Sequence, residues 1–121
     1  IISRAVSDGG VVITRGYLEG GAANTKGHME CSGLLLRDSG SIHAVPELKG
    51  TFPETDLSHE AAVGRIADEE IQYLMTRGLD QETATSLIVR GFLDVRLKGL
   101  PPELQHAIDT MIEKAGLRST V

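Results

Sequence analysis

The distribution of glycine along this chain constrains its fold more than any single motif does. Residues 1–60 carry nine of the fourteen glycines, and residues 61–121 carry five. In the first stretch, glycine and other turn formers cut the chain into short apolar runs. Val11-Val12-Ile13 leads to Tyr17-Leu18 and then the Gly20-Gly21 break. His28 to Leu36 is ended by Asp38-Ser39-Gly40, and Ile42 to Leu48 is interrupted at Pro46. β-Branched residues in runs this short, bounded by turn residues, read as strands. The gaps between runs are too short to hold helices, so βαβ units are not expected. Two arrangements stay open: a hairpin meander, and the last rungs of a parallel β-helix. A solenoid of so few rungs leaves its stacking face open, which points to further rungs upstream in a longer parent.

From about Ala67 the period becomes helical. Asp68, Glu69 and Glu70 place negative charge where a helix N-terminus favours it. Ile71, Leu74 and Met75 form an i, i+3, i+4 stripe, and Gly78 is a stop signal. Asp80 is placed to cap a second helix with an apolar face of Ala84, Leu87, Ile88, Gly91 and Phe92. Pro101-Pro102 suits the first turn of a third, whose stripe runs Leu104, Ala107, Ile108, Met111, Ile112 and Ala115 before Gly116. Helices this short are unstable alone, so their apolar faces must pack on one another or on the β half.

A chain of 121 residues suits one domain, or a small domain with part of a larger one. It begins Ile1-Ile2-Ser3, in an apolar stretch, with no initiator Met or signal peptide, as expected of a piece of a longer protein. With aromatics at 3%, aliphatic side chains must supply most of the core. A net charge of −5 argues against nonspecific binding to nucleic acid or an anionic membrane, which needs clustered Lys and Arg. No apolar span is long enough for a membrane helix. The single cysteine excludes an internal disulfide and fits a reducing, cytoplasmic location.

That cysteine, Cys31, and the dipeptide His59-Glu60 are the residues with most chemistry to offer. A free cysteine is usually a small buried hydrophobe. As a thiolate it is also the group that binds soft metals and iron–sulfur units. No Cys-x-x-Cys or His-x-x-x-His spacing accompanies it, so one chain does not make a zinc site. If residues 56–66 are extended, His59 and Glu60 point to opposite faces; the plain reading of Glu60 is a solvated carboxylate or a partner of Arg65. His28, His43 and His106 show no ligand spacing and read as surface or packing residues. A Cys31–His59 nucleophile and base has no sequence signature of an orienting third group, and no P-loop is present.

The run Leu57-Ser58-His59-Glu60-Ala61-Ala62-Val63-Gly64-Arg65-Ile66, followed by Asp68-Glu69-Glu70-Ile71-Gln72-Tyr73-Leu74-Met75-Thr76-Arg77-Gly78-Leu79, resembles the C-terminal region of the SufB/SufD proteins. Ile88-Val89-Arg90-Gly91-Phe92 and the upstream Met29-Glu30-Cys31-Ser32-Gly33-Leu34-Leu35-Leu36 extend the resemblance, which covers residues 16–104. These proteins are scaffold subunits of the SUF iron–sulfur cluster assembly system. The resemblance implies the last rungs of a right-handed parallel β-helix over residues 1–64, which dimerises, and a small three-helix C-terminal domain over 65–121. It implies two partners: a second SufB/SufD-type subunit, identical or different, and a SufC-type ATPase docked on the helices through Glu70, Tyr73, Arg77, Arg90 and Phe92. It matches Cys31, His59 and Glu60 to positions implicated in nascent-cluster binding at the subunit interface. Two-fold pairing would supply the missing ligands, with the cluster held transiently in the full-length complex and not expected on the isolated piece. The reading is therefore a non-enzymatic scaffold. The alternative class is a β-helix enzyme with a thiol or carboxylate active site, for which Glu30, Glu47 and Lys49 are the main strand-borne groups and form no repeating pattern.

Overall fold

A computed structural model of the chain describes residues 1–93 and 101–114. The first half forms the strands β1 (Ile2–Ser7), β2 (Val11–Gly20), β3 (Lys26–Leu35), β4 (Ser41–Gly50) and β5 (Asp56–Arg65). The second half forms the helices α1 (Asp68–Thr76), α2 (Gln81–Phe92) and α3 (Pro102–Lys114). Consecutive strands do not pair. One parallel sheet has the order β1-β3-β5, and a second parallel sheet joins β2 to β4. That rules out the hairpin meander, whose neighbours are consecutive and antiparallel. The chain instead passes from one sheet to the other at every short loop. Val11 faces Ser41 and Lys26 faces Asp56, in both cases thirty positions further along. The first coil is two residues shorter, with Ile2 facing Glu30. Its turn spans only residues 8–10, and Gly9 adopts a φ of +88° to make it.

The two sheets face each other across an aliphatic interior. A Cβ added at Gly16 of β2 would collide with the Met29 side chain of β3, and one at Gly27 would meet Leu18 and Leu57. One at Gly33 would meet Ile42. Side chains alternate along a strand, so these contacts fix the faces. Odd-numbered residues of β3 and β5 point inward, even-numbered ones outward. Pro46 does not interrupt its run as the sequence suggests. It lies within β4, opposite Gly16, on a strand that among the described residues pairs on one side only. An edge position tolerates the missing N–H.

The helices pack on the outer face of the three-stranded sheet. Leu34, 1% exposed, belongs to one core with Leu74, Ala84, Ile88, Phe92, Ile108, Met111 and Ile112, and Val6, Leu36 and Ile66 lie against it. α1 ends in a Schellman motif. Gly78 N–H bonds the Met75 carbonyl, Leu79 N–H bonds that of Leu74, and Gly78 has a φ of +95°. Asp80 caps α2 by accepting from the Thr83 N–H at 2.7 Å. α2 and α3 approach closely at Gly91, where a Cβ would lie 2.7 Å from Cγ2 of Ile108. Met75, placed on the apolar stripe of α1 by its spacing, is 44% exposed. The contact stripe of α1 is narrow, running through Ile71 and Leu74. Ala115 and Gly116 lie outside the described residues.

Candidate functional site

Cys31 sits in the central strand β3, between Ser3 of β1 and Ala61 of β5. It faces inward beside Met29 and is 9% exposed. His59 lies opposite Met29 on β5 and also faces inward, which makes it the diagonal neighbour of Cys31 on the same face. Parallel-strand spacing sets the two Cα atoms roughly 8 Å apart. Among the described residues β5 pairs only with β3, so this face lies at an open end of the two-sheet stack. Ala61 and Val63, the next inward residues of β5, are exposed there.

The Nε2 of His59 is buried and has no hydrogen-bond partner among the described residues. Buried polar atoms are almost always satisfied, so an orphan of this kind asks for a missing partner. Nitrogen of a neutral imidazole is a good metal ligand. With the thiol of Cys31 on the same face, the donor set is one soft sulfur and one borderline nitrogen. That set fits an iron–sulfur unit carried as cargo, though one chain supplies fewer than the usual four ligands. The pair suits a nucleophile less well. A catalytic base is oriented by a third group, and no side-chain hydrogen bond to His59 is present among the described residues.

Glu60 does not join them. It follows His59 in an extended strand and so projects from the outer face, opposite Glu30. Its anticipated partner Arg65 pairs instead with Asp38, while Glu60 Oε2 lies 3.8 Å from His28 Nε2. The other nitrogen of that ring, Nδ1, is 2.8 Å from Ser58 Oγ. His28, Glu30 and Glu60 can each bring one ligand atom within 4.8 Å of the others. Sequence spacing gave His28 no such role. The signal that carries it is the thirty-residue register, echoed in the pairs Asp8/Asp38, Gly10/Gly40, Leu18/Leu48, Gly20/Gly50, Thr25/Thr55 and Glu30/Glu60.

On the helices, Tyr73, Arg77 and Arg90 are exposed and Glu70 is half-buried. Arg77 Nη2 donates to the Tyr73 hydroxyl at 3.2 Å, and its guanidinium stands 5.5 Å from the centre of that ring. The pair lines a concave surface with Pro101, Glu103, Leu104 and Ala107. Phe92 is a correction. It is fully buried among Leu74, Ile88 and Ile108, since α2 turns its most apolar residue into the helical core, and it is not available to a docked partner. Among the described residues no helix is long and apolar enough to cross a membrane.

The family model for the SUF system FeS cluster assembly SufBD core domain matches residues 1–92. An iron-sulfur cluster assembly SufBD family protein of Archaeoglobus fulgidus is 55% identical over 115 residues, covering 95% of this chain and 31% of that protein. One from Methanothermobacter thermautotrophicus is 52% identical over 114 residues, covering 93% and 28%. One from Pyrococcus horikoshii is 46% identical over 110 residues, covering 91% and 25%. The chain thus spans less than a third of the length of these relatives. A match of this extent, over both the strands and the first two helices, establishes that the chain belongs to the SufBD family of iron–sulfur cluster assembly proteins.

Proposed function

We propose that this chain is the working end of a cluster-assembly scaffold whose strands continue a right-handed parallel β-helix in the full-length protein. Cys31 supplies a thiolate and His59 an imidazole to a nascent iron–sulfur cluster. A second SufB/SufD-type subunit supplies the remaining ligands. The observation that carries this reading is the orphan Nε2 of His59, buried on the same inward face as Cys31 at the open end of the stack. Two further features support the pairing. β4 and β5 are edge strands of ten residues each, and unpaired parallel edges are templates for another chain. Two-fold symmetry also doubles the donor set, which one chain leaves short. Glu60 projects from the outer face of the same strand and so serves this inward-facing cluster as a proton-handling neighbour rather than as a ligand.

Residues 1–64 are the dimerising part and 65–121 the docking part. A cytoplasmic SufC-type ATPase docks on the helices, with Tyr73 and Arg77 at the centre of the contact and Glu70 and Arg90 beside it. The Tyr73–Arg77 pair supports this, because an exposed aromatic with a stacked arginine is the composition of an interface anchor. The protein acts by holding cargo rather than by turning over a substrate. Anaerobic reconstitution of the full-length protein and its ATPase partner with ferrous iron and sulfide tests the ligand assignment. Cys31→Ala and His59→Ala are expected to lose most of the cluster absorbance, and unchanged loading in both would overturn it.

A further inference from the structure

We propose that His28, Glu30 and Glu60 form a second metal site, for a single six-coordinate divalent cation of the first transition row, on the outer face of the β1-β3-β5 sheet. The register builds it. Glu30 and Glu60 are directly opposite in neighbouring parallel strands, and His28 and Ser58 are the opposed pair two residues earlier on the same face. One ligand atom from each of His28, Glu30 and Glu60 lies within 4.8 Å of the other two. Metal–ligand bonds of about 2.1 Å place ligand atoms at most about 4.2 Å apart across the ion. His28 Nε2 and Glu60 Oε2, 3.8 Å apart, already meet that limit, and the Glu60 side chain is 67% exposed.

Three observations separate this cluster from an incidental group of surface charges. The first is burial. Glu30 is only 7% exposed, and its carboxylate takes part in none of the hydrogen bonds or ion pairs found among the described residues. A mostly buried carboxylate favours a counter-charge that meets it. The second is the cross-strand pairing of two glutamates, because like charges set directly opposite destabilise a sheet. A dication between them removes both penalties. The third is the orientation of His28. Ser58 Oγ holds Nδ1 at 2.8 Å, which turns Nε2 toward Glu60 Oε2 at 3.8 Å. Holding the far nitrogen while presenting the near one is the usual support for a metal-bound histidine.

The ligand chemistry selects the metal class. One imidazole and two carboxylates, with the remaining positions open to water, suit ferrous iron or manganese better than a soft ion, since no thiolate reaches this face. Cys31 points to the other side of the same sheet. The existence of the site is independent of the cluster reading; its use as the entry point for ferrous iron rests on that reading.

The test uses full-length protein under anaerobic conditions, with Mn(II) as the probe followed by loss of its free-ion EPR signal, and Fe(II) in competition. One Mn(II) per chain is expected, displaced by Fe(II). Glu30→Gln and His28→Gln should each weaken Mn(II) binding by at least tenfold. Ser58→Ala should weaken it about ten- to hundredfold through lost ring orientation. Cys31→Ala should bind Mn(II) as the parent does. His28 is half exposed, so its variant keeps the fold even if Glu30→Gln does not. Unchanged affinity in His28→Gln, or loss of the Mn(II) site in Cys31→Ala, would overturn the proposal. Failure of the cluster reading shows up separately, as normal cluster loading in Cys31→Ala with the Mn(II) titration untouched.

Discussion

Gly91→Ala tests whether the α2–α3 contact holds the helical part together. Two effects oppose each other. Replacing glycine by alanine inside a helix gains about 1 kcal/mol in propensity. Against this, the new Cβ would sit 2.7 Å from Ile108 Cγ2 and 3.2 Å from Ile112 Cδ1, where carbon atoms prefer about 3.5–4.0 Å. Ile112 Cδ1 is the end of a side chain and can rotate away. Ile108 Cγ2 cannot, because it branches at Cβ and a helical isoleucine has essentially one χ1 rotamer. The helices must separate, and overpacking of this kind costs about 1–3 kcal/mol. The steric term outweighs the propensity gain, leaving a net loss of up to about 2 kcal/mol. Hydrogen exchange of the α2 and α3 amides, followed by mass spectrometry on the full-length protein, reads that loss as faster opening, by up to about thirtyfold. A double-mutant cycle sharpens the result. Ile108→Ala alone leaves a cavity and costs about 2–5 kcal/mol. In the Gly91→Ala background it also removes the clashing Cγ2, so the costs should fall short of additive by about 1 kcal/mol or more. Exchange in Gly91→Ala at or below the parent rate, or strictly additive costs, would refute the reasoning.

Two further expectations concern the turn between α1 and α2. Gly78 holds a φ of +95° with no atom within 4 Å of an added Cβ, so Gly78→Ala costs about 1 kcal/mol through the backbone alone. Gly78→Asn should cost less, and equal protection of the α1 amides in both variants would contradict this. The hydrogen bonds from the Thr83 side chain and backbone N–H hold the Asp80 carboxyl below its ordinary pKa of 3.8. A depressed folded pKa means the cap contributes above the ordinary carboxylate range and is lost as pH falls through the lowered value. The Thr83 amide resonance should therefore titrate below pH 3.8, and Asp80→Asn should abolish that titration while keeping the cap. Persistence of the same acid transition in Asp80→Asn would assign it to another group.

Local signals made the helical half legible. Asp80 and Gly78 act within a few residues of where they stand, as a side chain accepting a nearby N–H and as a backbone free to adopt positive φ. The stripe of Ala84, Ile88 and Gly91 is buried where its period places it. Met75 shows the limit, because period alone does not say how wide a contact its helix makes. Phe92 shows another. Resemblance placed it on a docking surface, but an apolar side chain of that size is drawn into whatever core lies within reach.

What the sequence determined by itself is the strand-to-helix division, the helix boundaries and the chemistry on offer at Cys31 and His59. Those depend on propensity, period and residue type, which are properties of neighbours along the chain. Which residues stand together was decided by the tertiary structure. His28 and Glu60 are thirty-two positions apart, yet their side chains are 3.8 Å apart across two parallel strands. His59 and Glu60 are adjacent, yet they serve opposite faces of one sheet. Parallel pairing at a thirty-residue register is a long-range contact that no local signal encodes, and it sorts Cys31 and His59 to one face of the sheet and His28, Glu30 and Glu60 to the other.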